Sequence, residues 1–346
     1  RFAKEVRAKG GTILTETPAK KLIVENGKVV GVEAVDGEGE KVIVKAKKVI
    51  IATGGFESNK EMLAKYVNDS SALGMFEPVW YRGPVTDGKN GDGHTIAGNA
   101  PYLADLPPIN QFMGADELKQ GRCALAQPWL WVDQHGKRFF NESRGAVFVD
   151  VYNAMTSAGG VMYNIIDQQK YDQLVNKGAL LPFNAIVLAG VPLKALPKTF
   201  EIGQQRGWAF KADTIDDLAA QIGVPASNLK ETMNKVNEYA KAGKDPEFGR
   251  LPEHLATFNM EKGPYYALKG IRAFFLTLGG VTVNPKFQAL NPQGDVIDNL
   301  YVVGQDIGGL YDSSYDLRCE GSASSFAMTS GRLAADNALA DVKAGK

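Results

Sequence analysis

The sequence has few of the residues that most readily reveal a catalytic or metal site. It contains two cysteines, Cys123 and Cys319, and three isolated histidines, His94, His135 and His254. Neither set has the number or the spacing that a disulfide framework or a zinc site requires. We therefore predict a chain without a disulfide framework and without a bound metal.

Excess charge and long apolar runs are absent as well. The 346 residues include 39 Lys and Arg against 39 Asp and Glu, so the chain lacks the basic excess typical of nucleic-acid and anionic-membrane binding. No apolar run approaches the roughly 20 residues that span a bilayer. No signal peptide is visible, but the chain begins at Arg1 rather than at a methionine, so its cellular compartment stays open.

Two familiar nucleotide-binding motifs are missing too. A dinucleotide-binding strand is normally followed by Gly-x-Gly-x-x-Gly, whose glycines let the pyrophosphate reach a helix N-terminus. The Gly-x-Gly pairs at 37–39 and 91–93 continue to Val42 and Ile96, where the third small residue should stand. No Gly-Lys precedes Ser or Thr, as a P-loop requires. These motifs alone give no sign of a bound dinucleotide.

The first hundred residues have a clear secondary-structure pattern. They predict a helix over 2–9, and then an antiparallel meander with turns at Asn26-Gly27 and Asp36-Gly37. The meander leads to the continuous apolar run 49–52, which predicts a strand buried on both faces. A glycine turn at 91–93 then precedes HTIAGNA (94–100), which we predict to begin a helix.

From about residue 104 the sequence becomes rich in aromatic residues and loops, with predicted helices at 167–178, 214–223 and 226–243. Strand-and-turn character returns near 271, and an Ala-rich helix is predicted from about 322 to 341. We therefore predict one α/β domain made from both ends of the chain, residues 1–103 and 271–346. It is interrupted by an inserted domain at 104–270.

The last eighty residues hold the most informative stretch. LTLGGV (276–281), LYVVGQDIGG (300–309) and LRCEGSASSFAMTSGRLAADNA (317–338) combine a strand ending in glycines with a loop and a helix that starts with small residues. This combination brings backbone N–H groups against a flat or anionic ligand without side chains in the way.

These three blocks, together with four others, resemble one flavoprotein family. The other blocks are KKVIIATGGFESN (47–59), GDGHTIAGNA (91–100), GKRFFNE (136–142) and GKDPEFGR (243–250). The family contains the fumarate reductases, the flavoprotein subunits of succinate dehydrogenase and the 3-ketosteroid dehydrogenases. The blocks follow one consistent order over nearly the whole chain.

The resemblance implies FAD as the cofactor and an α/β (α+β) fold of the fumarate reductase flavoprotein type. In that fold an FAD-binding domain is interrupted by a mobile α+β capping domain. The resemblance also implies that a βαβ unit carrying Gly-x-Gly-x-x-Gly precedes Arg1, so we expect the chain to be a fragment of a longer polypeptide.

The resemblance assigns the cofactor to turns and to a helix start. The implied residues are Thr53, Gly54, Gly55, Asp92, Gly93, Gly279, Gly280, Gly304, Gln305, Gly321, Ser322, Ala323, Ser324 and Ser325. Gln305 stands where the family often has a glutamate, but it still accepts a hydrogen bond. The alternatives are ordinary turn chemistry at the glycines and Asp92, a polar strand-end residue at 305, and a plain helix cap at 321–325.

The resemblance also implies substrate contacts. Arg318 lies three residues before Gly321, the spacing of an arginine that clamps a substrate carboxylate in the fumarate reductases, and Thr277 and Gly279-Gly280 would lie nearby. A guanidinium suits this role because its fork donates two parallel hydrogen bonds. The family's paired histidines are replaced by Phe275-Leu276, which supplies apolar surface. The alternative for Arg318 is a surface residue in a loop.

The proton donor differs from the fumarate reductases. An ungapped alignment places Tyr171 at the position of their catalytic arginine. A tyrosine, with an unperturbed pKa of about 10, is able to act as a general acid. A half-buried helix residue is the alternative. Glu142 and Arg144 match the family's proton-relay neighbourhood and are expected on the substrate side, with a surface ion pair as their alternative.

The predicted function is therefore an FAD-dependent oxidoreductase, an ene-reductase acting on an enone or enoate larger or less polar than fumarate. The partners implied are a small-molecule substrate and, as an option, a separate electron-donor protein. Two alternatives stay open: a 3-ketosteroid-type dehydrogenase that works in the oxidative direction, and a non-catalytic fragment or binding module.

Overall fold

The structure is a computed structural model, and it describes residues 2–55, 73–74, 96–98, 102–103, 116–183, 186–271, 273–277, 280–309 and 321–345. These residues divide into two compact units. Unit 1 contains residues 2–55, 276–277, 280–309 and 321–345, and unit 2 contains the described residues between 73 and 275. The predicted boundaries, and the assignment of a flavin domain and a capping domain, stay predictions.

The described part of the chain contains both helices and strands. The helices are α1 (Phe2–Ala8), α2 (Asp116–Leu125), α3 (Phe148–Ser157), α4 (Gln168–Asn176), α5 (Leu196–Arg206), α6 (Ile215–Ile222), α7 (Ala226–Ala242) and α8 (Ser322–Lys343). The strands are β1 (Ala19–Glu25), β2 (Lys28–Val35), β3 (Lys41–Lys45), β4 (Val49–Ile51), β5 (Leu73–Gly74), β6 (Ile96–Gly98), β7 (Tyr102–Leu103), β8 (Trp131–Val132), β9 (Val161–Asp167), β10 (Ala209–Ala212), β11 (Tyr265–Ile271), β12 (Ala273–Thr277), β13 (Gln288–Leu290) and β14 (Val296–Val302). Short 3-10 turns lie at Glu142–Arg144, Pro252–His254 and Gly304–Asp306.

Unit 1 begins with the predicted helix and meander. Helix α1 ends just before Gly10, whose φ is 81°, and β1, β2 and β3 pair in that order in an antiparallel sheet. Asn26 and Gly27 form the hairpin turn with φ values of 50° and 78°, which is the region that a two-residue hairpin loop requires. The predictions for this segment are confirmed.

A second sheet of unit 1 positions the glycine-rich segments. Strand β14 pairs with β13 in the antiparallel and with β4 in the parallel direction, and α8 packs on β14 through Ala334 and Ala338. The core beside this sheet consists of Val29, Val49, Ile51, Val281, Ala289, Leu300, Val302 and Ile307. Ile50 is 38% exposed and Ala52 is exposed as well, so the prediction that the run 49–52 is buried on both faces is wrong for these two residues. The reason is that side chains alternate between the two faces of a strand.

Unit 2 is a sheet covered by helices. Its strands follow the order β10-β11-β9-β8, with β7 also paired to β11, and a smaller sheet has the order β5-β12-β6. Helices α4, α6 and α7 confirm the predicted ones, whereas α2, α3 and α5 were not predicted. Residues 96–98 are a strand, so the predicted helix start at HTIAGNA is wrong. Pairing with β12 supplies there the hydrogen bonds that a helix would have made internally.

None of the helices in the described ranges combines the length and the apolar character that a membrane crossing demands.

Candidate functional site

The glycine-rich segments of unit 1 meet at one edge of a sheet. Because β4 and β14 are parallel, with Ile51 opposite Val302, their carboxyl ends lie at the same edge. Thr53-Gly54-Gly55 follows β4, and the 3-10 turn Gly304–Asp306 follows β14. The carboxyl edge of parallel strands is where α/β proteins place their ligands.

Asp306 joins the two segments. Its carboxylate accepts a hydrogen bond from Thr53 Oγ1 at 2.6 Å on one oxygen and from the Gly54 backbone N–H at 2.8 Å on the other. Sequence reasoning assigned roles to Gly304 and Gln305 and missed Asp306. A carboxylate two residues after the strand-end Gly304 was the available signal.

A third segment reaches the same edge. The backbone N–H of Val281 donates to the Asp306 carbonyl at 2.8 Å, and the N–H of Gly308 donates to the Val281 carbonyl at 3.0 Å. A Cβ added at Gly280 would lie 2.1 Å from the Asp306 carbonyl oxygen, and one at Gly308 would lie 2.6 Å from the Gly280 carbonyl oxygen. Only glycine permits these backbones to approach so closely.

Helix α8 completes the edge. It begins after Gly321, whose φ of 82° is left-handed, and its first residues are the half-buried or exposed Ser322, Ala323, Ser324 and Ser325. The buried Ser330 Oγ accepts from the Gly304 N–H at 3.0 Å, so the helix is held against the end of β14. The N-terminus of a 22-residue helix carries a partial positive charge that favours an anion or a reduced, negatively charged ring.

The described residues fit the flavin side of an FAD site. A Cβ at Gly54 or Gly321 would meet no heavy atom within 4 Å, so space is open at these two turns. The edge presents glycine backbone, small side chains and a helix N-terminus, as a flat ring with an anionic edge requires. These residues suit one half of the cofactor, since the glycine motif of the pyrophosphate half is absent from the sequence.

Several predicted site residues lie outside this description. Asp92, Gly93, Gly279 and Arg318 fall outside the described residues, and Thr277 is described only as the backbone end of β12. Their roles stay predictions.

Unit 2 places Glu142 in a buried ionic cluster. Arg138 donates two hydrogen bonds to its carboxylate, at 2.9 and 2.6 Å, and donates to Asp245 at 3.2 and 2.7 Å. Arg250 Nε lies 3.9 Å from Glu142 Oε2. The side chains of Glu142 and Asp245 are 0% exposed. The alternative of a surface ion pair is therefore wrong for Glu142.

The electrostatics of the ionic cluster explain how its charges persist in the interior. Burial disfavours the charge of Arg138, but the hydrogen bonds and charges of Glu142 and Asp245 outweigh it and raise the pKa of Arg138. Burial likewise opposes ionisation of Asp245, and the hydrogen bond and charge of Arg138, with backbone N–H donors, lower its pKa to about 2. The charges of Arg138 and Asp245 are thus stabilised by their partners.

Arg144 follows Glu142 by two residues, but its side chain forms its ion pair outside the ionic cluster. Its guanidinium pairs with Asp150, and the two side chains are 56% and 34% exposed. This is the exposed ion pair that the sequence left as the alternative for Arg144, and such pairs contribute little to stability. Its substrate role stays a prediction.

Tyr171 lies on α4 within an aromatic cluster of unit 2. Its ring stacks on Tyr266 with centroids 4.5 Å apart and meets Phe200 edge-on at 5.5 Å. Burial, aided by the charge of Asp172, raises the pKa of Tyr171, so its hydroxyl keeps its proton at neutral pH. The packing agrees with the alternative of a half-buried helix residue, and its role as an acid stays a prediction.

Lys170 is the neighbour of Tyr171 on α4. Its ammonium is buried, donates to the Thr257 carbonyl at 2.7 Å and to Asp167 at 3.3 Å, and lies 3.7 Å from the centre of the Phe258 ring. Burial, partly offset by Asp167, lowers the pKa of Lys170 to about 8. These contacts tie the first turn of α4 to the 257–259 loop.

Three comparisons with known proteins agree with this architecture. Residues 1–321 match the model of the family described as FAD binding domain. NADH:acrylate oxidoreductase of Vibrio harveyi is 29% identical over 98% of this chain and 31% of its own length. Vinyl phenol reductase of Lactiplantibacillus plantarum is 27% identical over 93% of this chain and 67% of its own length.

Among solved structures, the open conformation of a flavocytochrome c3 fumarate reductase superposes with a TM-score of 0.64. It is 23% identical over 97% of this chain and 54% of that chain. This likeness confirms the predicted fold of the fumarate reductase flavoprotein type. The chain spans about a third of the length of the acrylate oxidoreductase and about two thirds of that of the vinyl phenol reductase.

Proposed function

The chain belongs to the FAD binding domain family and its cofactor is FAD, and we propose that the protein is an oxidoreductase. It would reduce an activated carbon–carbon double bond. The observation that carries the proposal is the glycine-lined edge of unit 1, where three backbone segments and the start of α8 meet. The relatives named for acrylate and for vinyl phenol support it, because both substrates contain such a double bond.

Unit 1 would hold the flavin. The Thr53-Gly54-Gly55 turn, Gly304-Gln305 and the start of α8 would present backbone groups and small side chains to it. From the sequence alone we assign Asp92-Gly93 and Gly279-Gly280 to the same set. Once bound and reduced by the electron donor, FAD would supply hydride chemistry for the β-carbon of the substrate. The positive end of α8 would stabilise negative charge on the ring, typically by about 0.3–1 kcal/mol at an exposed helix end.

Arg318 would orient the substrate by binding its carbonyl or carboxylate, beside Thr277. Phe275-Leu276, in place of paired histidines, favours a larger and less polar substrate than fumarate. Vinyl phenol, an aromatic alkene without a carboxylate, is of that kind, and the relative named for it covers 93% of this chain. An enone or an aryl enoate is therefore the substrate class that we propose.

Tyr171 is our candidate for the acid that protonates the α-carbon. Its raised pKa keeps the hydroxyl protonated at neutral pH, which a proton donor requires, although it also makes the proton harder to release. Glu142 and Arg144 remain candidates on the substrate side. A separate electron-donor protein remains the proposed partner.

The test uses the full-length, flavin-loaded protein under anaerobic conditions with a chemical reductant. The substrates are fumarate, acrylate, an aryl enoate, vinyl phenol, cyclic enones and steroid 3-ketones. We expect the double bond of the apolar alkenes to be reduced faster than that of fumarate. If the only substrates that react are saturated ketones, in a separate assay with oxygen as the electron acceptor, the protein is a dehydrogenase. If neither flavin nor turnover is found, it is a binding module.

Two substitutions test the assigned roles in the same assay. Arg318→Ala is expected to lower kcat/KM by about 100-fold, which corresponds to losing a bidentate, charge-assisted interaction.

Tyr171→Phe is expected to lower kcat by about 100-fold, the lower range for a general acid. Turnover and KM at wild-type values would remove either residue from the mechanism.

A further inference from the structure

Asp306 contacts two segments of the glycine-lined edge that are distant from it in sequence. Its carboxylate binds the Thr53 hydroxyl and the Gly54 N–H, and its carbonyl accepts from the Val281 N–H. The residue itself belongs to the turn that follows β14. One residue therefore links the turns after β4 and β14 with the glycine segment at 280–281.

The chemistry of this link requires a carboxylate. The two oxygens of Asp306 accept from different donors, a hydroxyl at 2.6 Å and a backbone N–H at 2.8 Å. Both distances are in the range of charge-assisted hydrogen bonds, which are stronger than neutral ones. An asparagine retains one acceptor oxygen and replaces the other with an amide donor.

One of the two donors that the Asp306 carboxylate holds is a glycine N–H. Gly54 has a φ of 76°, and a Cβ there would meet no heavy atom of the described residues within 4 Å. A glycine in such a turn gains the most conformational freedom when it is released. The hydrogen bond to Asp306 therefore restrains a residue whose backbone is intrinsically flexible.

We propose that Asp306 is a positioning residue for FAD, which keeps the Thr53-Gly54-Gly55 turn in the conformation that receives the flavin. The proposal rests on the proposed flavin site, and it assigns to Asp306 no contact with the cofactor. Asp306 acts through Thr53 and Gly54, whose backbone and side chain it orients. Removing the carboxylate frees the turn, and binding must then restrain it again, which weakens FAD binding.

The experiment measures the Kd of FAD for the full-length protein by flavin fluorescence. Amide hydrogen exchange at Gly54 gives a second readout that does not need the cofactor. The variants are Asp306→Ala, Thr53→Val, Thr53→Ser and the double variant Asp306→Ala with Thr53→Val. Asp298→Asn is the matched control, because it removes a carboxylate of β14 whose partner is the exposed Lys28.

We expect Asp306→Ala to raise the Kd of FAD at least about tenfold, as for one lost charge-assisted hydrogen bond, and to accelerate exchange at Gly54. Thr53→Val should weaken binding less than Asp306→Ala and more than Thr53→Ser, which keeps the hydroxyl. Asp298→Asn should match the wild type, and the double variant should bind no worse than Asp306→Ala. Such non-additivity is the signature of residues that act as one unit.

An unchanged Kd or unchanged exchange in Asp306→Ala overturns the proposal, and so do fully additive effects of the two substitutions. If Asp306→Ala does not fold, Thr53→Val against Thr53→Ser decides, because both keep the carboxylate. The proposed function fails separately. If the wild type binds FAD, Asp306→Ala binds it more weakly, and the wild type reduces no alkene, the positioning role of Asp306 stands. The proposed activity is then rejected.

Discussion

In unit 1 the 280–281 segment and the turn after β14 approach each other through glycines, and one carboxylate, Asp306, joins that turn to the turn after β4. In unit 2 the 138–142 segment and the 245–250 segment are instead joined by buried charged side chains, with Arg138 bridging Glu142 and Asp245. The first arrangement consists mostly of backbone, and the second consists almost entirely of side chains.

This difference separates what each region tolerates. A backbone edge is damaged by added atoms, because there is no space for a Cβ where two backbone segments lie within van der Waals distance of each other. A buried ionic cluster is damaged by removed charge, because each remaining ion then lies in the interior without compensation. A ligand-facing edge gains from the first arrangement, since the absence of side chains leaves its N–H groups accessible.

The largest effect is expected from Glu142→Gln. The substitution keeps the volume but leaves Arg138 and Arg250 with Asp245 as the remaining buried carboxylate, and we expect the free energy of unfolding to fall by about 3 kcal/mol. Denaturant unfolding followed by tryptophan fluorescence measures it, because the buried Trp129, Trp131 and Trp208 all lie in unit 2.

The matched control is Glu201→Gln on α5. Glu201 pairs with Lys198 at 2.8 Å, and both side chains are 55% exposed, so its loss should change stability by less than about 1 kcal/mol. Equal losses in the two variants would contradict the view that burial makes the ionic cluster important.

A smaller loss is expected from Gly280→Ala in unit 1. The new Cβ would overlap the Asp306 carbonyl oxygen, at 2.1 Å, so the 280–281 segment has to move away from the turn after β14. We expect a destabilisation of about 1–3 kcal/mol, as for overpacking, and a lower ratio of bound flavin to protein in absorbance spectra.

Gly331→Ala controls for the chemistry of that change. Gly331 lies inside α8, and a Cβ there would meet no atom within 4 Å. Alanine favours a helix over glycine by about 1 kcal/mol, so this variant should be neutral or more stable and should keep its flavin. A flavin ratio at the wild-type level in Gly280→Ala would show that the glycine edge tolerates side chains after all.

The smallest effect concerns pH and the rim of the ionic cluster. His254 Nδ1 and Ser143 Oγ lie 2.8 Å apart, and the same Oγ accepts from the Leu251 N–H. Burial, and then the charge of Arg250, lower the pKa of His254 below 6.5, against an opposing effect of Glu253. The folded state therefore favours neutral His254.

Because the folded pKa is depressed, this contribution is present above pH 6.5 and is lost as the pH falls through the folded pKa. We expect unit 2 to lose stability as the pH falls below 6.5, and His254→Asn to reduce that loss. Unfolding midpoints measured across this range check it, and an identical pH dependence of the two proteins would rule His254 out as its source.

Local chemistry made much of the fold predictable. Asn26-Gly27 dictates a tight hairpin, and the small-residue start at 321–325 predicts α8, because these preferences act between residues close in sequence. The 94–100 segment was assigned wrongly, since its strand depends on pairing with residues about 180 positions away. Such pairing leaves no signal in a short window of sequence.

The same division applies to the site. From the sequence, the glycine turns and the helix start could be assigned to one flavin-binding family through their resemblance to it. Glycines mark such places because close backbone approach demands residues without side chains. That Asp306 ties two of those turns together, and that Glu142 is buried between arginines, became visible only in the folded chain. Hydrogen bonds and ion pairs between distant segments depend on distances of a few ångströms, and those distances exist only once the chain is folded.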